Sequence, residues 1–236
     1  MTPPFYEAMR YPQKGGVVAI VPSAGFGKRL GLKVKKPFVR LGGKPLVAHA
    51  LKTLNDAKSI DAIVIAAEKA CVRQFNELVR RYEFDKVIGV VVGGKTRFGS
   101  VRNCLAKIGN AFDIVLIHDG ARPFVEESVI KESIRIARKS GACVVAVPES
   151  DTVKLVGKDL VIKKTFDRNR IYRAQTPQVF KRALIKKAYA QKAGHQMTDD
   201  ASLVEMLGRP VKILEGSYAN MKITTKEDLK FAEVLL

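Results

Sequence analysis

The chain has 236 residues, of which 47% are hydrophobic and 28% charged, so it can bury a substantial core and is not globally disordered. Lysine and arginine number 42 against 23 acidic residues, a formal net charge of +19. No apolar run approaches the ~20 residues that span a bilayer, and residues 1–16 lack the apolar core of a secretory signal. These features predict a cytoplasmic protein that has no membrane partner.

Cysteine spacing and charge distribution further limit the kinds of ligand that this protein could bind. Cys71, Cys104 and Cys143 are far apart and lie in apolar patterns, which predicts buried, reduced thiols rather than a zinc site. The basic residues are spread along the chain, with no basic tail and no aromatic-interleaved patch. We therefore expect a surface that attracts small phosphorylated substrates and does not bind nucleic acid. The alternative, from a different functional class, is a basic nucleic-acid-binding protein.

Continuous apolar runs alternate with helical patterns along most of the chain. Such runs predict strands covered on both faces, and they lie at 17–21, 62–66, 87–92, 114–117, 143–147 and 211–214. Apolar side chains at helical spacing predict helices that face the sheet: Leu46, Ala50, Leu51 and Leu54, then Ile130, Ile134 and Ala137, and finally Phe231, Val234 and Leu235. This alternation predicts an α/β fold with a mostly parallel sheet and helices on both faces.

Residues 150–175 interrupt this alternation. Two short β-like runs, 153–156 and 160–166, flank Gly157-Lys158-Asp159, a turn sequence typical of a hairpin. A lone two-stranded hairpin is marginal in water, so we expect this arm to pack on a partner subunit. The chain is therefore predicted to form one domain over 1–236, with 150–175 as a β-arm that serves a homodimer.

The turn after the first predicted strand has the composition of an anion-binding loop. Pro22, Ser23, Ala24, Gly25, Phe26 and Gly27 are mostly small, so the backbone can approach a ligand, and Lys28 and Arg29 follow with positive charge. A P-loop is excluded because it needs Gly at 22 and Ser or Thr at 29. A dinucleotide fingerprint is excluded because Leu30 stands where its third glycine belongs.

Three other strand ends carry ligand-type residues. Gly93 and Gly94 follow the third strand, and Ser100 stands at a helix predicted to open at Val101. Asp119 follows the fourth strand, where it could hold a hard cation such as Mg²⁺. Arg122 and Lys222 supply charge for a phosphate. No nucleophile–base arrangement or carboxylate pair competes, so the pattern favours phosphoryl or nucleotidyl transfer.

Segments that run in order through the chain resemble the 2-C-methyl-D-erythritol 4-phosphate cytidylyltransferase family of the non-mevalonate isoprenoid pathway. The combination of HDGARP (118–123), TFDRN (165–169) and TPQVF (176–180) is more specific than the first loop, which nucleotidyltransferases share. The resemblance implies an α/β, three-layer, Rossmann-like enzyme that joins CTP to the polyol phosphate and releases pyrophosphate. It also implies Mg²⁺ as cofactor and a homodimer in which the arm crosses to the neighbouring subunit.

The resemblance assigns roles residue by residue. The catalytic cations would be Arg29, Lys36 and Lys222. CTP would be bound by Pro22, Ser23, Ala24, Gly25, Phe26, Gly27, Lys28, Gly94, Lys95, Ser100, Asp119 and Gly120, with Asp119 also near the metal. The acceptor substrate would be bound by Arg122, Thr152, Asp167, Arg168, Thr176 and Thr198, with Asp167 and Arg168 completing the partner's site.

Alternatives remain open at this point. A ribitol-5-phosphate cytidylyltransferase would share the first loop and differ around Arg122, Thr152 and Thr176. A bifunctional isoprenoid enzyme would carry an added metal-binding domain, which we do not expect here. The chain departs from the family's usual pattern at Lys35-Lys36-Pro37, and at Ala219, where an acid is common.

Overall fold

The computed structural model describes residues 15–25, 31, 34–191 and 198–236. Within these residues there are eleven strands, which we number in chain order: β1 (Gly16–Pro22), β2 (Arg40–Leu41), β3 (Lys44–Pro45), β4 (Ala62–Ala67), β5 (Val87–Val92), β6 (Phe112–Ile117), β7 (Ala142–Pro148), β8 (Lys154–Val156), β9 (Ile162–Thr165), β10 (Tyr172–Lys181) and β11 (Lys212–Glu215). The helices, numbered likewise, are α1 (Leu46–Asp56), α2 (Val72–Arg81), α3 (Arg97–Leu105), α4 (Glu127–Ser140), α5 (Arg182–Tyr189), α6 (Asp200–Glu205) and α7 (Lys226–Val234).

Seven of the described strands form one sheet, in the order β11-β7-β10-β6-β1-β4-β5. β1 pairs in parallel with both β4 and β6, β5 continues from β4, and β11 runs parallel to β7. Among the described strands of this sheet, β10 alone is reversed, because it pairs antiparallel with both β6 and β7. The prediction of a mostly parallel α/β sheet is confirmed.

Helices cover both faces of the sheet, which explains why its strands are apolar throughout. Along β1, Val17, Ala19 and Val21 join one buried cluster and Val18 and Ile20 join the other, as the two-residue period of a strand requires. The first cluster takes side chains from α1, α2 and α4, and the second from α3, α5 and α6. The three-layer prediction is therefore confirmed.

Strand β10 was not predicted as part of the sheet. It contains Pro177, which lacks a backbone donor, and its buried positions include the polar residues Gln175, Thr176 and Gln178. Its pairing with β7 is interrupted between Ala174 and Gln178, so the proline falls where no ladder bond is needed. Hydrophobic patterning cannot detect a central strand of this composition.

The predicted apolar face of the last helix is wrong. Phe231, Val234 and Leu235 are all exposed, and Val234 is 85% exposed. The buried residue of α7 is instead Ala232, which packs with Leu41, Leu46 and Ile223 in a third, smaller cluster.

The predicted hairpin is present. β8 and β9 pair antiparallel, and all residues of both strands are exposed. The second strand is shorter than predicted and begins at Ile162, after Leu160 at a φ of 59°. Elsewhere, Cys71, Cys104 and Cys143 are free and buried, as predicted. Of the helices in the described ranges, none has the length and apolar character to cross a membrane.

Candidate functional site

The candidate site lies where the sheet changes its direction of winding. From β1 the chain proceeds outward through β4 and β5 on one side, and it then returns to place β6 on the other side of β1. In open α/β sheets, ligands bind outside the carboxyl ends of the strands at such a point. The ends of β1 and β6 lead directly into 22–25 and 118–121, the two loops that the sequence had singled out.

A cavity of about 350 Å³ opens at this edge. It brings together eleven of the predicted site residues from five separate segments: Pro22, Ser23, Ala24, Gly25, Lys36, Gly94, Lys95, Ser100, Asp119, Gly120 and Lys222. Phe26, Gly27, Lys28 and Arg29 lie outside the described residues. The cavity is also lined by Pro37, Leu46, Thr96, Arg97, Ala121 and Thr224, to which the sequence assigned no role.

One wall of the cavity is the start of α3, which begins at Arg97 rather than at the predicted Val101. Thr96 is the N-cap, and its hydroxyl accepts a hydrogen bond from the backbone N–H of Gly99 at 3.0 Å. The Ser100 hydroxyl accepts from the backbone N–H of Gly94 at 3.1 Å and donates to the carbonyl of Thr96 at 2.9 Å. A Cβ on Gly94 would approach the backbone of Gly99 to 2.8 Å, so this close turn requires glycine.

Asp119 is the charged centre of the cavity. Its Oδ1 accepts a hydrogen bond from Nε of Arg97 at 3.0 Å, and its Oδ2 accepts one from Nζ of Lys222 at 2.5 Å. Burial would raise the pKa of this carboxyl, but the charges of Arg97 and Lys222 outweigh burial and hold the pKa well below its usual range. The carboxylate is therefore ionised and held in place on both sides.

Behind Asp119, a chain of hydrogen bonds runs through the buried wall. The Asp119 backbone N–H donates to the hydroxyl of Thr176 at 3.0 Å, and that hydroxyl lies 3.2 Å from Nδ1 of His118. Nε2 of His118 lies 3.0 Å from the carbonyl of Arg122, which can only accept. Burial lowers the pKa of His118 to about 4, so the ring is neutral, with Nε2 donating and Nδ1 accepting from Thr176.

The residues predicted for the acceptor substrate lie outside the cavity lining. Thr176 is buried in the chain of hydrogen bonds just described, which places its hydroxyl behind the cavity. Arg122 is half-buried, and its Nη1 donates to the carbonyl of Asn220 at 2.6 Å. The exposed residues are Thr152, Asp167, Arg168 and Thr198. The first three belong to the arm, where Nη1 of Arg168 donates to the carbonyl of Ser150 at 3.0 Å.

Arg97 is the residue that sequence reasoning missed. It lies in the glycine-containing segment 93–100, but the sequence indicates no role for it, because its two carboxylate partners, Asp119 and Asp200, are distant in sequence. An arginine at the start of a helix lies at the end where the helix dipole disfavours a cation, so its position points to other partners.

Comparison with known proteins agrees with the geometry. The sequence profile of the family described as 2-C-methyl-D-erythritol 4-phosphate cytidylyltransferase matches residues 17–236. A protein of that name from Geobacillus thermodenitrificans is 46% identical over 92% of this chain and 96% of its own length. One from Clostridioides difficile is 44% identical over 92% of both chains.

Solved structures show the same likeness in three dimensions. The 4-diphosphocytidyl-2C-methyl-D-erythritol synthase of Anaerococcus prevotii superposes with a TM-score of 0.82 at 32% identity, covering 94% of this chain and 98% of its own. The 2-C-methyl-D-erythritol 4-phosphate cytidylyltransferase of Thermus thermophilus has a TM-score of 0.75 at 30% identity, covering 93% and 98%. This chain therefore belongs to the 2-C-methyl-D-erythritol 4-phosphate cytidylyltransferase family.

Proposed function

We propose that this protein transfers CMP from CTP to 2-C-methyl-D-erythritol 4-phosphate, giving 4-diphosphocytidyl-2-C-methyl-D-erythritol and pyrophosphate. The observation that carries the proposal is the cavity at the ends of β1 and β6. It joins a close glycine turn for a nucleotide to Lys36 and Lys222, two cations from separate segments. Family membership over residues 17–236 supports the same reaction.

The reaction needs charge compensation more than acid–base chemistry. An oxygen of the acceptor's phosphate attacks the α-phosphorus of CTP in line, the new P–O bond forms, and the bond from the α-phosphorus to the bridging oxygen breaks as pyrophosphate leaves. The attacking phosphate is already ionised, so no general base has to remove a proton. This explains why His118 can be buried and neutral behind the site.

Two anions must approach one another, so cations decide the rate. Lys222 and Lys36 line the cavity, and Lys222 is fixed by the carboxylate of Asp119. Each preorganised donor to the developing charge contributes on the order of 2.7–4 kcal/mol, by analogy with oxyanion-hole donors. Arg29 is proposed as a further cation on the triphosphate.

The nucleotide half of the cavity is proposed to lie between 22–25 and the start of α3. There the backbone of Ser23, Ala24, Gly94 and Lys95 can read the base and ribose, while Ser100 holds the turn. A Cβ at either Gly94 or Gly99 would crowd the backbone of the other, so this close turn holds its shape only if both remain glycine.

A magnesium ion fits this site as a companion of the nucleotide. Within the described ranges, no group of three or more His, Cys, Asp or Glu side chains could hold a metal by itself, and Asp119 is the one acidic residue in the cavity lining. Mg²⁺ commonly takes one or two carboxylates and completes its shell with phosphate oxygens and water. We propose that Asp119 supplies the carboxylate, and that the ion neutralises charge on the triphosphate.

We also propose a homodimer formed through the arm. The hairpin exposes Leu155, Val156, Leu160, Val161 and Ile162, and Leu160 is 81% exposed. Exposed apolar side chains concentrated on one short element are typical of a protein–protein interface. In such a dimer, Asp167 and Arg168 complete the acceptor site of the neighbouring subunit.

The experiment is an assay of pyrophosphate release from CTP with 2-C-methyl-D-erythritol 4-phosphate. Parallel reactions replace the acceptor by ribitol 5-phosphate, or CTP by UTP or ATP. We expect turnover with CTP and methylerythritol phosphate at a kcat/KM well above that of every other pair. Turnover of ribitol 5-phosphate alone would assign the alternative acceptor, and no turnover with either acceptor would refute the proposal.

A further inference from the structure

Arg97 is held between two carboxylates in the cavity wall. Its Nε donates to Oδ1 of Asp119 at 3.0 Å, and its Nη2 forms an ion pair with Oδ2 of Asp200 at 2.7 Å. The side chain of Arg97 is 30% exposed, while that of Asp200 is completely buried. The planar guanidinium can bridge two acids in a fixed orientation, which a lysine could not do.

Asp200 has no structural role among the described residues that would explain its burial without Arg97. It lies in the first turn of α6, but the cap of that helix is Asp199, whose side chain accepts from the backbone N–H of Ser202. The hydroxyl of Tyr189 donates to Oδ1 of Asp200, while Oδ2 has no well-aligned hydrogen bond among the described residues. A buried carboxylate is costly unless it is compensated, so the charge of Arg97 is what stabilises Asp200 there.

A chain of three ion pairs connects α6 to Lys222. Asp200 holds Arg97, Arg97 holds Oδ1 of Asp119, and Oδ2 of Asp119 receives the ammonium of Lys222. Lys222 itself is 37% exposed at the cavity, and its long side chain would otherwise sample many rotamers. The position of its charge is therefore set by the carboxylate, and the carboxylate is set by Arg97.

We propose that Arg97 and Asp200 are positioning residues that act through Asp119 to hold the Lys222 ammonium where the two substrate phosphates meet. This inference rests on the proposed function. It predicts that loss of either residue lowers kcat, because a misplaced charge fails in the transition state, while KM for CTP stays within about twofold. A displacement of about 1 Å in such a group costs up to roughly 100-fold in rate.

The test is a double-mutant cycle between Arg97→Gln and Lys222→Met, with rates from single turnovers at excess enzyme so that slow variants remain measurable. Arg97→Gln should lower kcat by about 10- to 100-fold. In the Lys222→Met background the same change should cost less than about twofold, because the group that it positions is gone. Losses that multiply in the double variant would overturn the proposal.

Companion variants separate positioning from folding. Asp200→Asn removes the charge at constant shape, and Tyr189→Phe removes only the hydroxyl that donates to Asp200. Both variants should lower kcat without changing KM for CTP, and the loss in kcat should be smaller for Tyr189→Phe than for Asp200→Asn. If Arg97→Gln does not fold, these two variants still test the positioning role. Arg102→Gln, an exposed arginine further along α3, is the matched control and should leave kcat unchanged.

The chemical reactivity of Lys222 gives a second test that does not depend on enzymatic turnover. Acetylation of Lys222 by acetic anhydride, followed by peptide mass spectrometry, should accelerate several-fold in Arg97→Gln and Asp200→Asn relative to the unmodified chain and to Arg102→Gln. Equal labelling in all four proteins would overturn the positioning role. Absence of CTP turnover in the unmodified chain would instead refute the proposed function, and the labelling result would still decide the positioning.

Discussion

Nζ of Lys222 lies 2.5 Å from Oδ2 of Asp119, although 103 residues separate them in the chain. The pairing brings the end of β6 and the segment before α7 to one point of the cavity. A cation that is held by a carboxylate in the free protein is already placed for an incoming anion, so no reorganisation is needed when the substrates bind.

Replacement of Lys222 tests this preorganisation. Lys222→Met should lower kcat by about 100- to 1000-fold, the range found when one preorganised donor to a transition-state charge is removed. Steady-state kinetics of pyrophosphate release measure the change, and circular dichroism verifies the fold. Lys230→Met, at an exposed position on α7, is the control and should behave as the unmodified chain. A Lys222 variant with normal kcat would contradict the charge-compensation mechanism.

A substitution at Gly94 tests the nucleotide half of the cavity. The Cβ of Gly94→Ala would come within 2.8 Å of the Gly99 backbone, so the start of α3 must move. We expect KM for CTP to rise by about tenfold or more, since the shift disturbs the backbone groups proposed to read the nucleotide. Gly109→Ala meets nothing within 4 Å and should leave KM unchanged. Equal KM values in both variants would place the base elsewhere.

Mixing two inactive variants tests the arm. If Arg168 completes the partner's site, Arg168→Ala and Lys222→Met should each be inactive alone. After the two are unfolded and refolded together, half of the dimers are mixed, and each of these carries one site with both residues intact. Activity should therefore recover to about a quarter of that of the unmodified protein. No recovery, although native mass spectrometry shows mixed dimers, would assign Arg168 to its own subunit's site.

The buried His118 predicts a specific loss of stability in acid. Burial lowers its pKa from 6.5 to about 4, so below pH 6.5 the unfolded chain takes up a proton that the folded chain refuses. The free energy of unfolding should fall as the pH drops from 6.5 to about 4, by at most about 1.4 kcal/mol per pH unit from this group. Urea titrations across that range measure the slope.

His118→Gln should remove this contribution to the slope, whatever its effect on absolute stability. His49→Gln is the control, because His49 lies on α1 outside the cavity lining, where its Nε2 donates to the carbonyl of Leu41 at 2.9 Å. It should keep the slope of the unmodified chain. Identical slopes in all three proteins would mean that folding does not lower the pKa of His118.

Hydrophobic patterning predicted the strands and helices whose buried side chains are apolar. The strands around β1 and the faces of α1 and α4 follow from continuous or periodic runs that must be covered. It failed at β10, where Gln175 donates to the carbonyl of Ser217 and Gln178 donates to Asp199. Buried polar groups that satisfy one another leave no apolar period in the sequence.

The candidate site was predicted to a similar extent. Residues that follow strands could be placed at one edge because parallel strands end together, and this holds for Ser23, Gly94 and Asp119. Arg97 could not be assigned, since its role depends on an ion pair with Asp200 across two helices. The sequence shows which residues could be charged partners, and only the ion pair between α3 and α6 shows which ones are.

The geometry of β10 sets limits on where this chain can change length. From its start at Tyr172, beside the arm, the strand passes Thr176 behind the cavity and then pairs Gln178 with Ile117 of β6. A residue added or removed between Tyr172 and Gln178 would turn the following side chains to the opposite face of the sheet, and the hydroxyl beside His118 would be lost. The hairpin tip at Gly157-Lys158-Asp159 lies outside the seven-stranded sheet, so a change of length there leaves this register intact. Insertions and deletions at the root of the arm should therefore disturb the cavity, whereas those at its tip act only on the surface proposed for the dimer.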